Sequence, residues 1–228
     1  MKRHFDEELK KLKEKLFRMG LTVEEAVAKA SQSLFDRDSK KAQEVIRGDQ
    51  EINLCEIEID ELAHELIALY QPTAVDLRFI TMVLKMTNDL ERMGDQAVNI
   101  AEKAVLVNQE PPMKPYVDLP KIAETARGML RDGLTAFMER DAAKAKEILE
   151  RDDVIDNLND RIYEDIQKLM KEKPETIRQG VALIMISHNL ERVADLATNI
   201  AEDVIYLARG IDIRHHIRER RESTPAKP

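Results

Sequence analysis

The 228-residue chain has no tryptophan, and aromatic residues of any kind make up only 4% of it. Seven glycines and eight prolines leave little turn chemistry. A many-stranded β-protein needs aromatic and β-branched runs closed by Gly/Asn turns, so an all-β fold is excluded, and a doubly wound sheet with it. The one cysteine, Cys55, cannot form an internal disulfide, which points to a reducing compartment. No run approaches the ~20 apolar residues that a membrane span needs. The first segment, MKRHFDEELKKLKEKLF, carries charges throughout and has no apolar h-region, so it does not read as a signal peptide. Basic side chains are the minority, 36 against 44 acidic, for a net charge of −8. That sign argues against nucleic acid as the main partner. No Walker loop, GxGxxG or GxSxG is present. The expectation is a soluble, cytoplasmic chain with no direct membrane insertion.

Hydrophobic residues reach 43%, enough for a real core, and charged residues 35%. Ala, Leu, Glu, Lys, Arg and Ile dominate, which is the composition of long helices. Leu9, Leu12, Leu16, Met19, Val23, Ala26 and Ala30 step by three and four, as one buried helix face does. Ile52, Cys55, Ile59, Leu62, Leu66 and Leu69 predict a second helix. Val83, Met86, Leu90, Met93, Ala97, Ile100, Ala104 and Val107 predict a third. Proline at 72 separates the last two, and the segment NQEPPMKPYVDLP then breaks the pattern. Helices resume at about Leu119 to Met138, Ala142 to Lys171 and Glu175 to Ala208, with Pro174 in the last turn. The prediction is all-α: two tandem three-helix bundles, six long helices in all. The first bundle spans 1–108, a Pro-rich linker 109–118, the second bundle 119–212, and a charged tail 213–228.

The two halves are also similar in sequence. LERMGDQAVNIAE at 90–102 aligns with LERVADLATNIAE at 190–202, an offset of 100. Arg37-Asp38 aligns with Arg140-Asp141, and Asp49 to Asn53 with Asp152 to Asp156, an offset of 103. A duplicated bundle explains this better than chance does.

On a helix turning about 100° per residue, Glu91, Asp95, Asn99 and Glu102 fall within roughly an 80° stripe. Glu191, Asp195, Asn199 and Glu202 repeat it, joined by His188 where the first half has Asn88. The second helix of each bundle adds a pair, Asp49 with Asn53 and Asp152 with Asp156. Each pair lies about twenty residues from its hairpin turn, ~30 Å at the helical rise, so antiparallel neighbours bring the pairs of one bundle to one height. Carboxylates four apart on facing helices offer oxygens to a hard cation or small cluster. Such oxygen-rich, histidine-poor sites suit Mg, Mn, Ca or oxidised iron better than copper or structural zinc. The bland alternative is a solvated acidic face with i,i+4 charge pairs.

Glu61-Leu-Ala-His64 has the Glu-x-x-His ligand spacing of di-iron bundles, but those sites use it twice and the second half reads Glu164-Asp-Ile-Gln167. Cys55, in the core stripe, reads as a small buried hydrophobe. Arg214, His215, His216, Arg218, Arg220 and Arg221 form a basic end, either a dock for an acidic partner or a solvated terminus. Met185 and Leu196, read as lying on the outer side of the last helix, are candidates for a dimer or partner contact.

At Asp89-Leu-Glu-Arg-Met-Gly-Asp95 and His188-Asn-Leu-Glu-Arg-Val-Ala-Asp195, supported by NIAEDVIYLARG at 199–210, the sequence resembles the PhoU family of phosphate-transport accessory and regulatory proteins. The resemblance covers nearly the whole chain. It implies two three-helix bundles, commonly as a homodimer, and a regulator rather than an enzyme. It implies metal clusters on paired Glu/Asp-x-x-x-Asp motifs, which match Glu91/Asp95, Glu191/Asp195 and Asp152/Asp156, with Asn53 standing opposite Asp49 as a weaker ligand. Iron, manganese, magnesium, zinc and calcium are the candidate ions. The partners implied are the ATPase subunit of an ABC-type phosphate importer and a phosphate-sensing histidine kinase, which would hold the chain at the inner membrane peripherally. The readings from other classes are a carboxylate-bridged di-metal helical-bundle enzyme and a metal-free helical scaffold.

Overall fold

The computed structural model describes residues 2–112 and 118–210. They form seven α-helices: α1 (Lys2–Phe35), α2 (Ser39–Tyr70), α3 (Ala74–Asn108), α4 (Leu119–Glu139), α5 (Ala142–Leu149), α6 (Asp152–Glu172) and α7 (Ile177–Arg209). A 3-10 turn at Pro174–Thr176 joins the last two. No strand occurs among the described residues. Both α5 and α6 pack on α4 and α7, so together they stand in the place of one long helix. The all-α architecture of six helical rods in two bundles is therefore as predicted. The core of the linker, 113–117, and the basic end at Arg214 to Arg221 lie outside the described residues.

The repeated Arg-Asp step is a structural punctuation mark. Arg37 and Arg140 both adopt the left-handed region, with φ of 54° and 55°. Each aspartate then caps the next helix: Asp38 accepts from the backbone N–H of Lys40 at 2.9 Å, and Asp141 from that of Ala143 at 2.8 Å. One alignable dipeptide thus ends one helix and begins the next in both halves.

The predicted stripe on α3 is buried throughout, from Val83 to Val107. On α2 the stripe runs out at the hairpin, where Leu69 is 66% exposed beyond the end of the core. Cys55 is half-buried against that core, and burial pushes its thiol up, as for an inert residue. The prediction of an unbroken helix over 142–171 is corrected at Glu150-Arg151. There the N–H of Arg151 bonds the carbonyl of Ile148 and that of Val154 the carbonyl of Arg151, the tighter 3-10 pattern, before α6 opens on Asp152 and Asp153. Two aspartates suit a helix start because they complement its N-terminal partial charge.

The halves meet along α3 and α7, and along α1 and α4. On the second seam Glu24 accepts from Nε of Arg127 and of Arg131, both at 3.0 Å. Glu24 and Arg127 are repeat-equivalent at the offset of 103. Two identical bundles would set like against like at this position; the divergence of the repeats makes an ion pair of it. Phe79 stacks on Phe137 with ring centroids 5.6 Å apart, adding an aromatic contact across the halves.

Leu196 is buried at 4% exposure, whereas Met185 is 43% exposed. The expectation of an outward-facing Leu196 is corrected by the packing: α3, α4, α5 and α6 all lie against α7, so little of its circumference is free.

Candidate functional site

In the first bundle α2 and α3 approach closely at Gly94, where a Cβ would meet Ile52 Cδ1 at 3.0 Å and Asp49 Oδ1 at 3.7 Å. The missing side chain makes room for Ile52, and Asp49 lies close to α3, beside Glu91 and Asp95. The matched heights inferred from the hairpins are therefore realised. Burial, then the charge of Asp95, raises the Glu91 carboxyl above its ordinary range, and burial with the charge of Asp49 does the same to Asp95. Asn53 Nδ2 donates to Asp49 Oδ2 at 2.9 Å. Asp49 Oδ1 and Asn53 Oδ1 are buried without a hydrogen-bond partner.

The second bundle repeats the arrangement with Asp152, Asp156, Glu191 and Asp195. Burial and the charges of Asp156 and Asp195 push the Asp152 carboxyl up to about 6. Burial and then Glu191 raise both Asp156 and Asp195. Asp152 Oδ1 is buried and lacks a partner. His188 Nδ1 lies 2.7 Å from Glu191 Oε2, and Asn159 Nδ2 donates to the same oxygen at 3.0 Å. Ser187 Oγ in turn donates to Asn159 Oδ1 at 2.6 Å.

Glu56 belongs to the first cluster and sequence reasoning passed over it. Burial raises its carboxyl, followed by the charges of Asp60 and Asp95. The signal was available, because Glu56 lies seven residues from Asp49 on the same stripe and aligns with Asn159. The second helix of each bundle therefore brings two carboxylates and one carboxamide: Asp49, Asn53 and Glu56, or Asp152, Asp156 and Asn159. Asn53 is no deficit once Glu56 is counted.

Asn99 and Asn199 do not share one fate with the acidic pairs. Asn99 is exposed on α3. Asn199 lines a cleft of about 510 Å³ between α3 and α7, with Lys85, Asp89, Glu202 and Asp203 among its neighbours, and donates to Asp89. Burial and the charge of Asp203 push Asp89 up to about 6. Glu61 and His64 are exposed, and His64 Nδ1 lies 2.7 Å from the carbonyl oxygen of Asp60. They take no part in either cluster, which removes the di-iron spacing as a ligand motif.

All-oxygen donors, orphaned buried oxygens and mutually raised carboxylates are the chemistry of a hard-cation site. Among the described residues, however, no three His, Cys, Asp or Glu side chains are gathered as they would be around an ion. The donor set fits a cation, and the carboxylates must turn inward to close on one. No helix of the described residues is long and apolar enough to cross a membrane.

A model of the PhoU domain matches residues 16–104 and again 119–204, once on each half. The chain belongs to the PhoU family. It is 40% identical over 216 residues to the phosphate-specific transport system accessory protein PhoU homolog of Aquifex aeolicus, covering 94% of this chain and 98% of that one. Among solved structures, PhoU from Pseudomonas aeruginosa superposes with a TM-score of 0.88 at 36% identity, covering 91% of this chain and all of that one. The phosphate transport system regulatory protein PhoU from Streptococcus pneumoniae gives 0.85 at 34% identity, covering 91% and 98%. PhoU relatives at this likeness share the fold of both halves with this chain.

Proposed function

We propose that this PhoU-family chain is a cytoplasmic, non-enzymatic regulator of phosphate import. It would act as an adaptor between the ATPase subunit of an ABC-type phosphate transporter and a phosphate-sensing histidine kinase. On this reading it registers the state of the transporter by contact and holds the starvation response off while phosphate is plentiful. The observation that supports the reading best is the family match on both halves, each carrying the same height-matched acidic pairs. A cation bound at Glu91, Asp95 and Asp49, or at Glu191, Asp195, Asp152 and Asp156, would supply positive charge that removes the mutual repulsion of the carboxylates. Without it, these carboxylates stand close together between α2 and α3, and between α6 and α7, and repel one another.

Deleting the gene in its host and measuring secreted or periplasmic phosphatase in phosphate-rich medium tests the regulatory role. High activity despite ample phosphate is the expected result. Unchanged low activity would place the chain in another pathway. Metal analysis of the purified protein, alone and with Asp95→Asn plus Asp195→Asn, tests the cation separately.

A further inference from the structure

The acidic stripe of α7 does not stop at His188. Counting toward the hairpin it continues as Ile184, Val181 and Ile177, in the same steps of four and three. Val181 and Ile177 are 48% and 49% exposed, and Met185 beside them 43%. On α6 the line of Asp152, Asp156 and Asn159 ends on Tyr163, 49% exposed. Register between the helices is fixed at two levels. Asn159 bonds Glu191, and at Gly180 the absence of a side chain admits Met170, whose Sδ would stand 2.6 Å from a Cβ. At that register Tyr163 falls level with Ser187, about one turn from Ile184. The face shared by α6 and α7 is therefore acidic at one end and apolar at the other.

Such a face, about 27 Å from Ile177 to Asp195 at the helical rise, matches a helix of five turns. An amphipathic helix laid in a groove between two others is a standard recognition mode. The charge at the far end selects its sign. Asp152, Asp156, Glu191 and Asp195 are joined on α6 by Asp153 and Asp160, against His188 and Arg192 on α7. A divalent ion on the four inner carboxylates would still leave the end negative. The equivalent face of the first bundle keeps apolar residues at Leu77 and Leu84, for Ile177 and Ile184, and differs at three other positions. It has Asp60 for Tyr163, Thr81 for Val181, and for Met185 it has Lys85, which reaches Asp203 on α7 at 3.5 Å.

We propose that the α6–α7 face of the second bundle is the docking surface of this adaptor, and that it takes a basic amphipathic helix of the partner protein. The partner's apolar side chains would cover Tyr163, Ile177, Val181 and Met185, and its Lys or Arg residues would meet the acidic end. This rests on the adaptor role proposed above.

The test uses the full chain with the purified ATPase subunit and the purified cytoplasmic part of the kinase from the same host. Val181→Glu and Met185→Glu, both at exposed positions, are expected to weaken binding of one of them by about tenfold or more, with Leu77→Glu, at an exposed position of the first bundle, as the control changing it less than about twofold. A photo-crosslinking residue at 185 should capture a partner peptide in which Lys or Arg lies one or two turns from an apolar i,i+4 pair. If the unmodified chain binds a partner and both variants bind it equally well, the docking surface is wrong while the adaptor reading stands. Capture of an acidic peptide, or variants that alter only self-association, would likewise overturn it. If the unmodified chain binds neither partner, the adaptor reading falls and this inference with it.

Discussion

The two bundles keep the same acidic centre and differ on either side of it. Asp49, Asn53 and Glu56 stand where Asp152, Asp156 and Asn159 stand, and Glu91 and Asp95 where Glu191 and Asp195 stand. Beyond that centre the first bundle has Asp60, Thr81 and Lys85, and the second Tyr163, Val181 and Met185. Duplication has preserved a charge arrangement that is unfavourable by itself, since burial and repulsion raise carboxyls in both copies. Retaining it twice argues for use of the site, because a purely structural groove would have no reason to keep unfavourable charge. The flanking residues, freed of that constraint, have diverged at these three positions, polar in the first bundle and apolar in the second, while Leu77 and Leu84 still match Ile177 and Ile184.

The largest expected effects probe where the halves should be equal. Leu90 and Leu190 are both essentially unexposed in aligned positions, so Leu90→Ala and Leu190→Ala should each cost about 2–5 kcal/mol. Urea unfolding of both would break the comparison if one were tolerated and the other not. Glu24→Gln comes next, at about 1 kcal/mol, discounted because Arg127 and Arg131 are partly exposed. Burial alone would raise the Glu24 carboxyl, but the hydrogen bonds and charges of Arg131 and Arg127 together hold it below its ordinary value. Its stabilisation is therefore complete above the ordinary carboxylate range and is lost as pH falls through the lower, folded value. The difference in thermal midpoint between wild type and Glu24→Gln should close in acid; a difference independent of pH would show that the pair acts only through packing.

Asp152→Asn should act in the opposite sense. In chelator-treated protein it removes a half-buried charge set against Asp156 and Asp195, and should stabilise by about 1 kcal/mol after allowance for solvent screening. Added Mn²⁺ should then raise the melting temperature of wild type more than that of the variant. A variant less stable than wild type without metal would mean that the carboxylate has a native partner in the fold.

Much of this was legible because burial imposes a period. The α3 stripe from Val83 to Val107 is buried as predicted, and Pro72 and Pro174 fixed the hairpins closely enough to align the acidic pairs. The rest depended on neighbours that a single stripe does not reveal. Leu196 reads as outward-facing on a helix with one buried face, whereas four other helices pack around α7. Asn199 follows Asp195 by one turn yet serves the cleft between the bundles, since α7 faces α6 at one level and α3 at the next. The break before Asp152 left no proline or glycine to mark it. Glu56 is hidden for a different reason: it lies outside the paired four-residue spacing, and its counterpart across the repeat is an amide.

That amide gives the finest test of the equivalence. Asn53→Asp alone sets a second carboxylate beside Asp49, whose Oδ1 already lacks a partner, and removes the amide that donates to Oδ2. It should destabilise the metal-free protein by about 1 kcal/mol. Glu56→Asn alone relieves the charge on Asp95 and should stabilise slightly, by about 0.5 kcal/mol. Together they rewrite the α2 set as the α6 set, with the same number of carboxylates, and the double variant should be at least as stable as wild type, where simple addition would give a loss of about 0.5 kcal/mol. Because positions 53 and 56 lie one turn apart on α2, their charges interact, their effects should not add, and the double variant should be more stable than the sum of the single changes. Simple additivity in a double-mutant cycle would mean that Glu56 stands outside the cluster, leaving the first bundle one carboxylate short of the second.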